Sequence, residues 1–202
     1  MTEKFSRNAF ILDNSHKLLE SEYDVDVNKL GQGSYGSVSK AVCKKSKVVR
    51  AVKTIPKSQV KNIPRFRAEI AIMREMDHPN IVKLFETFED AKNIYLIMEL
   101  CTGGELFDRI INEGTITEKQ AASIMKQVLN AVFYMHSHNI MHRDLKPENL
   151  LFLNTNKDSP IKIIDFGLAT TFEVGAHYDM KAGTPYYVSP GKCIFQISMN
   201  FF

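Results

Sequence analysis

The sequence predicts an α+β chain built as two lobes, a mostly β half followed by a mostly α half. Three observations lead there. Five short β-branched runs crowd the residues before Cys101 around a single helical stretch. A glycine pair, Gly103-Gly104, forms a joint after them. Beyond it, apolar residues recur at helical rather than strand spacing.

Residues 1–22 form a short polar extension with one apolar cluster, Phe10-Ile11-Leu12, expected to pack on the strands after it or to trail from them. The runs 23–31, 37–43 and 48–55 read as strands separated by turn chemistry, with Gly31, Gly33 and Gly36 breaking the first two apart. Phe66, Ile70, Met73 and Met76 then recur at intervals of four, three and three with charges between them, which predicts a helix that His78-Pro79-Asn80 ends. Two more strands are expected over 81–88 and 93–100, joined by Glu89-Asp90-Ala91-Lys92. After the joint, Thr117 and Gln120 match a capping box, and Ala121, Ile124, Val128, Val132 and Met135 make a stripe behind it. No internal repeat or low-complexity tract interrupts the series.

The bulk composition narrows the function class. Apolar residues make up 44% and charged residues 24%, the balance of an ordinary globular protein. Lys and Arg number 26 against 23 Asp and Glu, so net charge makes no case for nucleic acid or a membrane surface. Cys43, Cys101 and Cys193 are far apart with no C-x-x-C pair, which points to reduced thiols and a cytoplasmic setting rather than zinc or a disulfide framework. Met1-Thr2-Glu3-Lys4 begins no signal peptide, and Thr2 stands where myristoylation needs glycine. No apolar stretch approaches the ~18 residues of a membrane span.

Three elements carry chemistry. The first is Gly31-Gln32-Gly33-Ser34-Tyr35-Gly36-Ser37-Val38, where glycines allow the close backbone approach that polyphosphate needs. A dinucleotide site would place a helix straight after the glycines; a strand comes next here, which favours a hairpin lid over phosphate, with a plain glycine turn as the alternative. The second is Lys53, at the end of an alternating strand, either a solvated edge residue or a cation for phosphates. Glu69 on the striped helix is the carboxylate that could hold it, or else a surface acid. The third is His142-Arg143-Asp144-Leu145-Lys146-Pro147-Glu148-Asn149 followed by Asp165-Phe166-Gly167.

With that third element the chain resembles the protein kinase family over 23–190, since all the family's signatures but the last occur in order. The resemblance implies a two-lobed kinase fold, with a five-stranded antiparallel N-lobe carrying one main helix and a partial, mostly helical C-lobe. It divides the domain into 23–101, 102–190 and a divergent tail, 191–202. It implies ATP and Mg²⁺ as cofactors and proteins bearing Ser or Thr as partners. Asp144 would accept or orient the substrate hydroxyl proton, and Lys146 would contact the γ-phosphate. Asn149 and Asp165 would hold Mg²⁺, a hard cation suited to oxygen ligands. Lys53, braced by Glu69, would cradle the phosphates under the loop from Leu30 and Gly31 through Gln32, Gly33, Ser34, Tyr35, Gly36 and Ser37 to Val38. Met98 would guard the rear of the adenine pocket, and backbone groups of Glu99 and Cys101 would pair with adenine. Ala51, Val38 and Leu151 would sandwich the ring, and Glu105 would reach the ribose. Met73, Leu84, His142 and Phe166 match the family's internal side-chain stack.

Lys146, two residues after Asp144, resembles the Ser/Thr branch, as does Gly183-Thr184-Pro185-Tyr186-Tyr187. The runs 85–90, 98–108 and 10–14 are similar to the calcium-dependent protein kinases of protists and plants, in the calmodulin-dependent group. Members of that subgroup usually carry EF-hands, and none is read in this sequence. Asp24-Val25-Asp26-Val27-Asn28 mimics the start of a calcium loop, but Lys29 and Tyr35 stand where its Gly and bidentate Glu belong, so a strand is expected there. The activation segment runs through Phe166, Gly167, Thr170, Thr171, Tyr178, Asp179 and Thr184. Met180 occupies the usual phosphothreonine position, so Asp179 is expected to supply a standing negative charge for Arg143. Activity is then expected without loop phosphate, which mass spectrometry of active protein checks. Glu105 and Glu148 suggest a preference for Arg or Lys upstream of the target residue.

The pattern departs from the family at Val188-Ser189-Pro190-Gly191-Lys192, where an acidic residue is expected, and the tail resembles nothing in it. The C-lobe therefore reads as incomplete. Without the remaining helices, the stripe on 117–136 and Ile161, Ile163 and Ile164 are expected to form an exposed apolar patch. Three readings are open: an incomplete Ser/Thr kinase domain, an inactive fragment that binds nucleotide or a partner through its N-lobe, or an unstable product with no function of its own.

Overall fold

Alternating apolar residues before Cys101 build the expected sheet, with one addition at its edge. The computed structural model describes residues 12–13, 17–33, 36–176 and 183–187. The chain divides into two units, one reaching to Asp77 and including Val82–Cys101, the other comprising His78–Ile81 and the residues from Thr102 on.

The first unit contains β1 (Leu12–Asp13), α1 (Leu19–Glu22), β2 (Tyr23–Gly33), β3 (Gly36–Cys43), β4 (Val49–Pro56), α2 (Ile63–Glu75), β5 (Leu84–Glu89) and β6 (Asn93–Met98). The sheet order is β1-β5-β6-β4-β3-β2. Five strands are antiparallel as expected; β1 lies parallel to β5, with Leu12 opposite Glu86 and Asp13 opposite Thr87. Part of the N-terminal extension is thus a sixth strand. Another part packs: Leu19 joins Tyr23 of β2 with Ala41, Val52, Phe88 and Ile97 in a core cluster. Tyr23 meets Phe88 edge-on at 5.9 Å, and its hydroxyl donates to Glu86. The Asp24–Asn28 stretch is strand, with Asp26 accepting from the Asn28 backbone at 2.9 Å.

Asn62 caps α2 by accepting the Arg65 N–H, and Phe66 and Met73 are buried along it. The helix stops at Glu75, before the predicted His78-Pro79-Asn80 terminator, and Met76 is buried just beyond it. The next strand also starts late, at Leu84, because Ile81 makes a separate parallel bridge to Ile163.

The second unit contains α3 (Leu106–Glu113), α4 (Glu118–Ser137), β7 (Ile140–Met141), β8 (Leu150–Phe152), β9 (Ile161–Ile163) and β10 (Thr170–Thr171). Gly103 is required by packing: a Cβ there would collide with the Asn154 carbonyl and the Phe152 Cβ. Gly114 ends α3 at φ 75°, a positive value that favours glycine, with its N–H donated to the Ile111 carbonyl. The capping box starts α4, with Thr117 accepting the Gln120 N–H and the Gln120 side chain returning to the Thr117 backbone.

One expectation is overturned. Ile161 and Ile163 are 0% exposed, and Val128 and Met135 on the predicted stripe are buried, because α4 packs this row against β7 and β9. The exposed apolar row on α4 is Met125, Leu129 and Phe133, at 51%, 58% and 76%, on the neighbouring helix face. Among the described residues no helix is long and apolar enough to cross a membrane.

Candidate active site

Two short ladders hold two loops side by side in the second unit. β8 pairs antiparallel with β9, and β7 with β10. The loop 142–149 joins β7 to β8, and the loop 164–169 joins β9 to β10. Both loops are therefore clamped at each end, against one another. Ile164 N–H donates to the Asn149 carbonyl at 3.0 Å between them.

His142 is 2% exposed and links the loops further. Its Nδ1 accepts the Asp144 backbone N–H at 3.3 Å, so the ring proton sits on Nε2 and is donated to the Ile164 carbonyl at 3.0 Å. Burial keeps this imidazole below its ordinary pKa, so it stays neutral. The His142 ring meets Phe166 edge-on at 5.0 Å. Arg143 and Asp165 both adopt positive φ, 66° and 57°. Such strain costs about 1–3 kcal/mol per residue and gathers at functional sites. Here Arg143 Nε donates to the Leu168 carbonyl at 2.6 Å, and Asp165 Oδ1 accepts the Gly167 N–H at 3.2 Å.

Asp144 is the hub. Its Oδ1 accepts the Thr184 hydroxyl at 2.6 Å, and its Oδ2 faces Lys146 Nζ at 3.1 Å and accepts Asn149 Nδ2 at 3.1 Å. Lys146 also donates to Thr184 Oγ1 at 2.8 Å. Burial pushes the Asp144 carboxyl up, but the Thr184 hydrogen bond and the bond and charge of Lys146 outweigh it and hold the group below its ordinary value. With its folded value depressed, its stabilising contribution is present above the unfolded pKa of about 4 and is lost as pH falls through the folded one. A carboxyl NMR titration should place Asp144 below about 4, and Thr184→Val, which removes one donor, should move it up.

Asn149 Nδ2 donates both to Asp144 Oδ2 and to the Asp144 carbonyl, which turns its amide oxygen away from Asp144. Glu105 is held above its ordinary pKa by burial, then by Asp108 and Glu148. Glu148 Oε1 accepts the Tyr187 hydroxyl at 3.2 Å, while its Oε2 is buried with no hydrogen-bond donor among the described residues. Leu151 pairs with Lys162 and bridges Glu105. Thr170 and Thr171 form β10.

In the first unit, Gly33 of β2 pairs with Gly36 of β3, so a strand rather than a helix follows the glycines. A Cβ on Gly36 would collide with the Thr54 carbonyl. Gly31, Gln32, Ser37 and Val38 lie in the two strands, and Leu30 is half-exposed. Val38, Lys53 and Leu96 stand opposite one another across β3, β4 and β6, and so share one face. Ala51 and Met98 form the next row of that face. Glu69 lies on α2 with Arg65 Nε at 3.7 Å. Glu99 donates its N–H to the Lys83 carbonyl at 2.8 Å, and Cys101 closes the unit. Ser34, Tyr35, Tyr178 and Asp179 lie outside the described residues.

A family model, protein kinase domain, matches residues 25–193. The chain belongs to the protein kinase domain family. It is 55% identical over 188 residues, 93% of its length, to calcium-dependent protein kinase 3 of Plasmodium yoelii yoelii, and covers 35% of that protein. Identity to calcium-dependent protein kinase 32 of Arabidopsis thaliana is 43% over 182 residues, 88% of this chain and 34% of that one. Calcium/calmodulin-dependent protein kinase type 1 of Macrobrachium nipponense is 48% identical over 164 residues, 80% of this chain and 47% of that one. The kinase chain thus spans about a third of the length of the Plasmodium and Arabidopsis relatives. Of the kinase signatures, the second unit brings Asp144, Lys146, Asn149 and Thr184 into one hydrogen-bonded group. Sequence reasoning missed the direct contact of Thr184 with Asp144; the two are 40 residues apart and no local pattern joins them.

Proposed function

We propose that the protein is a Ser/Thr protein kinase that transfers the γ-phosphate of ATP to protein hydroxyls in the cytosol. The observation that carries this reading is the Thr184 hydroxyl, held 2.6 Å from Asp144 Oδ1. An ionised carboxylate here already accepts a hydrogen bond from an aliphatic alcohol, the same chemical group as a substrate Ser or Thr. A substrate hydroxyl in that place would have its proton drawn to Asp144 as its oxygen forms the new bond to the γ-phosphorus. The bond from that phosphorus to the oxygen bridging to the β-phosphate breaks, and ADP leaves. Lys146, beside the same carboxylate at 3.1 Å, would take charge developing on the transferred group.

Asn149 and Asp165 supply hard oxygen donors, which suit Mg²⁺. Mg²⁺ is commonly held by one or two protein groups together with substrate phosphates. When bound, Mg²⁺ would neutralise phosphate charge. In the first unit, the Gly31–Val38 turn would lie over phosphate, with Lys53 as its cation and Glu69 as the brace of Lys53. Val38, Ala51 and Met98 would offer the apolar face for adenine. Glu99, with its N–H already bonded to Lys83, would pair through its carbonyl, beside Cys101. The family resemblance assigns Leu151 to the ring and Glu105 to the ribose. The thiol of Cys43 suits a reducing compartment.

The acidic group Glu105, Asp108 and Glu148 favours substrates with Arg or Lys upstream of the target. A cation there would relieve the mutual repulsion of the three acids and satisfy the buried Glu148 Oε2. Glu148→Ala should lower kcat/KM for Arg-containing peptides by ~10-fold relative to Arg-free ones, the worth of one charged hydrogen bond. Unchanged selectivity on a peptide array would rule this preference out.

A further inference from the structure

Strand β9 is three residues long, buried, and laddered with one strand, β8. A buried strand edge needs partners for its remaining backbone groups. They come from Gln127 and Asn80. Gln127 Oε1, on α4, accepts the Ile161 N–H at 3.0 Å. Asn80 Nδ2 donates to the Ile161 carbonyl at 2.9 Å and to Gln127 Oε1 at 2.8 Å, and the Asn80 carbonyl accepts the Ile163 N–H at 2.8 Å. Gln127 Nε2 reaches back to the Ser123 carbonyl at 3.4 Å, which fixes the amide with its oxygen toward the strand. Together these groups replace a neighbouring strand. Ile164 follows β9 directly; its carbonyl takes the His142 proton and its N–H meets Asn149, and Asp165 is the next residue.

We propose that Gln127 is a positioning residue for phosphoryl transfer: by pinning the outer edge of β9 through Ile161 and Asn80, it sets the backbone on which His142, Asn149 and Asp165 are aligned. Gln127 touches none of the reacting groups itself, and it acts through the strand. This rests on the kinase reading above. Gln127→Met keeps length and helix propensity but leaves the Ile161 N–H and one Asn80 N–H without an acceptor. Gln127→Glu keeps the acceptor oxygen.

The test is steady-state kinetics on the whole protein, with ATP and a basic Ser peptide, alongside thermal melts. Gln127→Met should lower kcat by ~10-fold or more, as small misplacements of reacting groups do, with KM for ATP and for peptide within about two-fold of the unsubstituted protein. Gln127→Glu should restore kcat to within about three-fold. Val128→Ala, a core truncation one position along α4, should lower the melting temperature and leave kcat within about two-fold. Should Gln127→Met not melt cooperatively, Gln127→Asn, which withdraws the amide by one methylene, carries the same expected loss of kcat. An unchanged kcat, or a loss that Val128→Ala reproduces at equal loss of melting temperature, would overturn the positioning role. An unsubstituted protein with no phosphoryl transfer sinks the kinase reading and this role with it. An active protein whose Gln127→Met variant is equally active sinks this role alone.

Discussion

Replacing Asp144 by Asn is expected to lower turnover by about 10²–10⁴-fold, the usual worth of a positioned general base. The change preserves shape while removing the charge and the basic oxygen. In the folded protein Asp144 takes donors from Thr184, Lys146 and Asn149, and an amide in its place must turn its own NH₂ toward one of them. That mismatch costs about 1–3 kcal/mol of stability, which lowers the melting temperature without abolishing the fold. ATP affinity should hardly change, because the proposed role of Asp144 is toward the hydroxyl rather than the nucleotide. Single-turnover kinetics at saturating ATP separate the two effects. A variant that keeps its turnover would remove Asp144 from the chemistry.

The second large effect is expected at Asp165. Asp165→Asn should lower turnover by about 10²–10³-fold, comparable to the loss of one transition-state electrostatic contact. The Mg²⁺ concentration for half-maximal rate should rise at the same time. The substitution is conformationally mild. Asp165 sits at φ 57°, a region that Asn also tolerates, and the bond from the Gly167 N–H can be kept by the amide oxygen. The loss should therefore follow metal dependence rather than unfolding. A Mg²⁺ titration showing equal curves for both proteins would contradict the assignment of Asp165 as a ligand.

The sequence was legible where local physics decides structure. Alternation over β2 to β6, the capping box at Thr117 and Gln120, and the pairing of Gly33 with Gly36 all depend on neighbours a few residues apart. It was less legible where the partner is remote. The sixth strand and the four-residue helix α1 are too short to show a period; Leu12 is ordered by Glu86 and Tyr23 by Phe88. Ile81 looked like the start of a strand because it is apolar and β-branched, but it bridges to Ile163 instead. The same limit explains the misplaced apolar patch. A helix stripe shows which side chains want burial, and the strands β7 and β9 decide which row receives it. In the candidate site, the order of motifs nominates Asp144, Lys146, Asn149 and Asp165 as candidates. Only the fold reveals that Thr184 closes on Asp144 and that Asn80 and Gln127 complete the edge of β9.

The central claim, phosphoryl transfer from ATP to Ser or Thr, is tested most directly by incubating the protein with γ-labelled ATP, Mg²⁺ and a basic peptide that carries Ser, Thr and Tyr. The phosphorylated residue is then identified by mass spectrometry. The kinase reading predicts label on Ser or Thr, lost in Asp144→Asn. Label on Tyr alone, or release of phosphate to water with no labelled peptide, would contradict it.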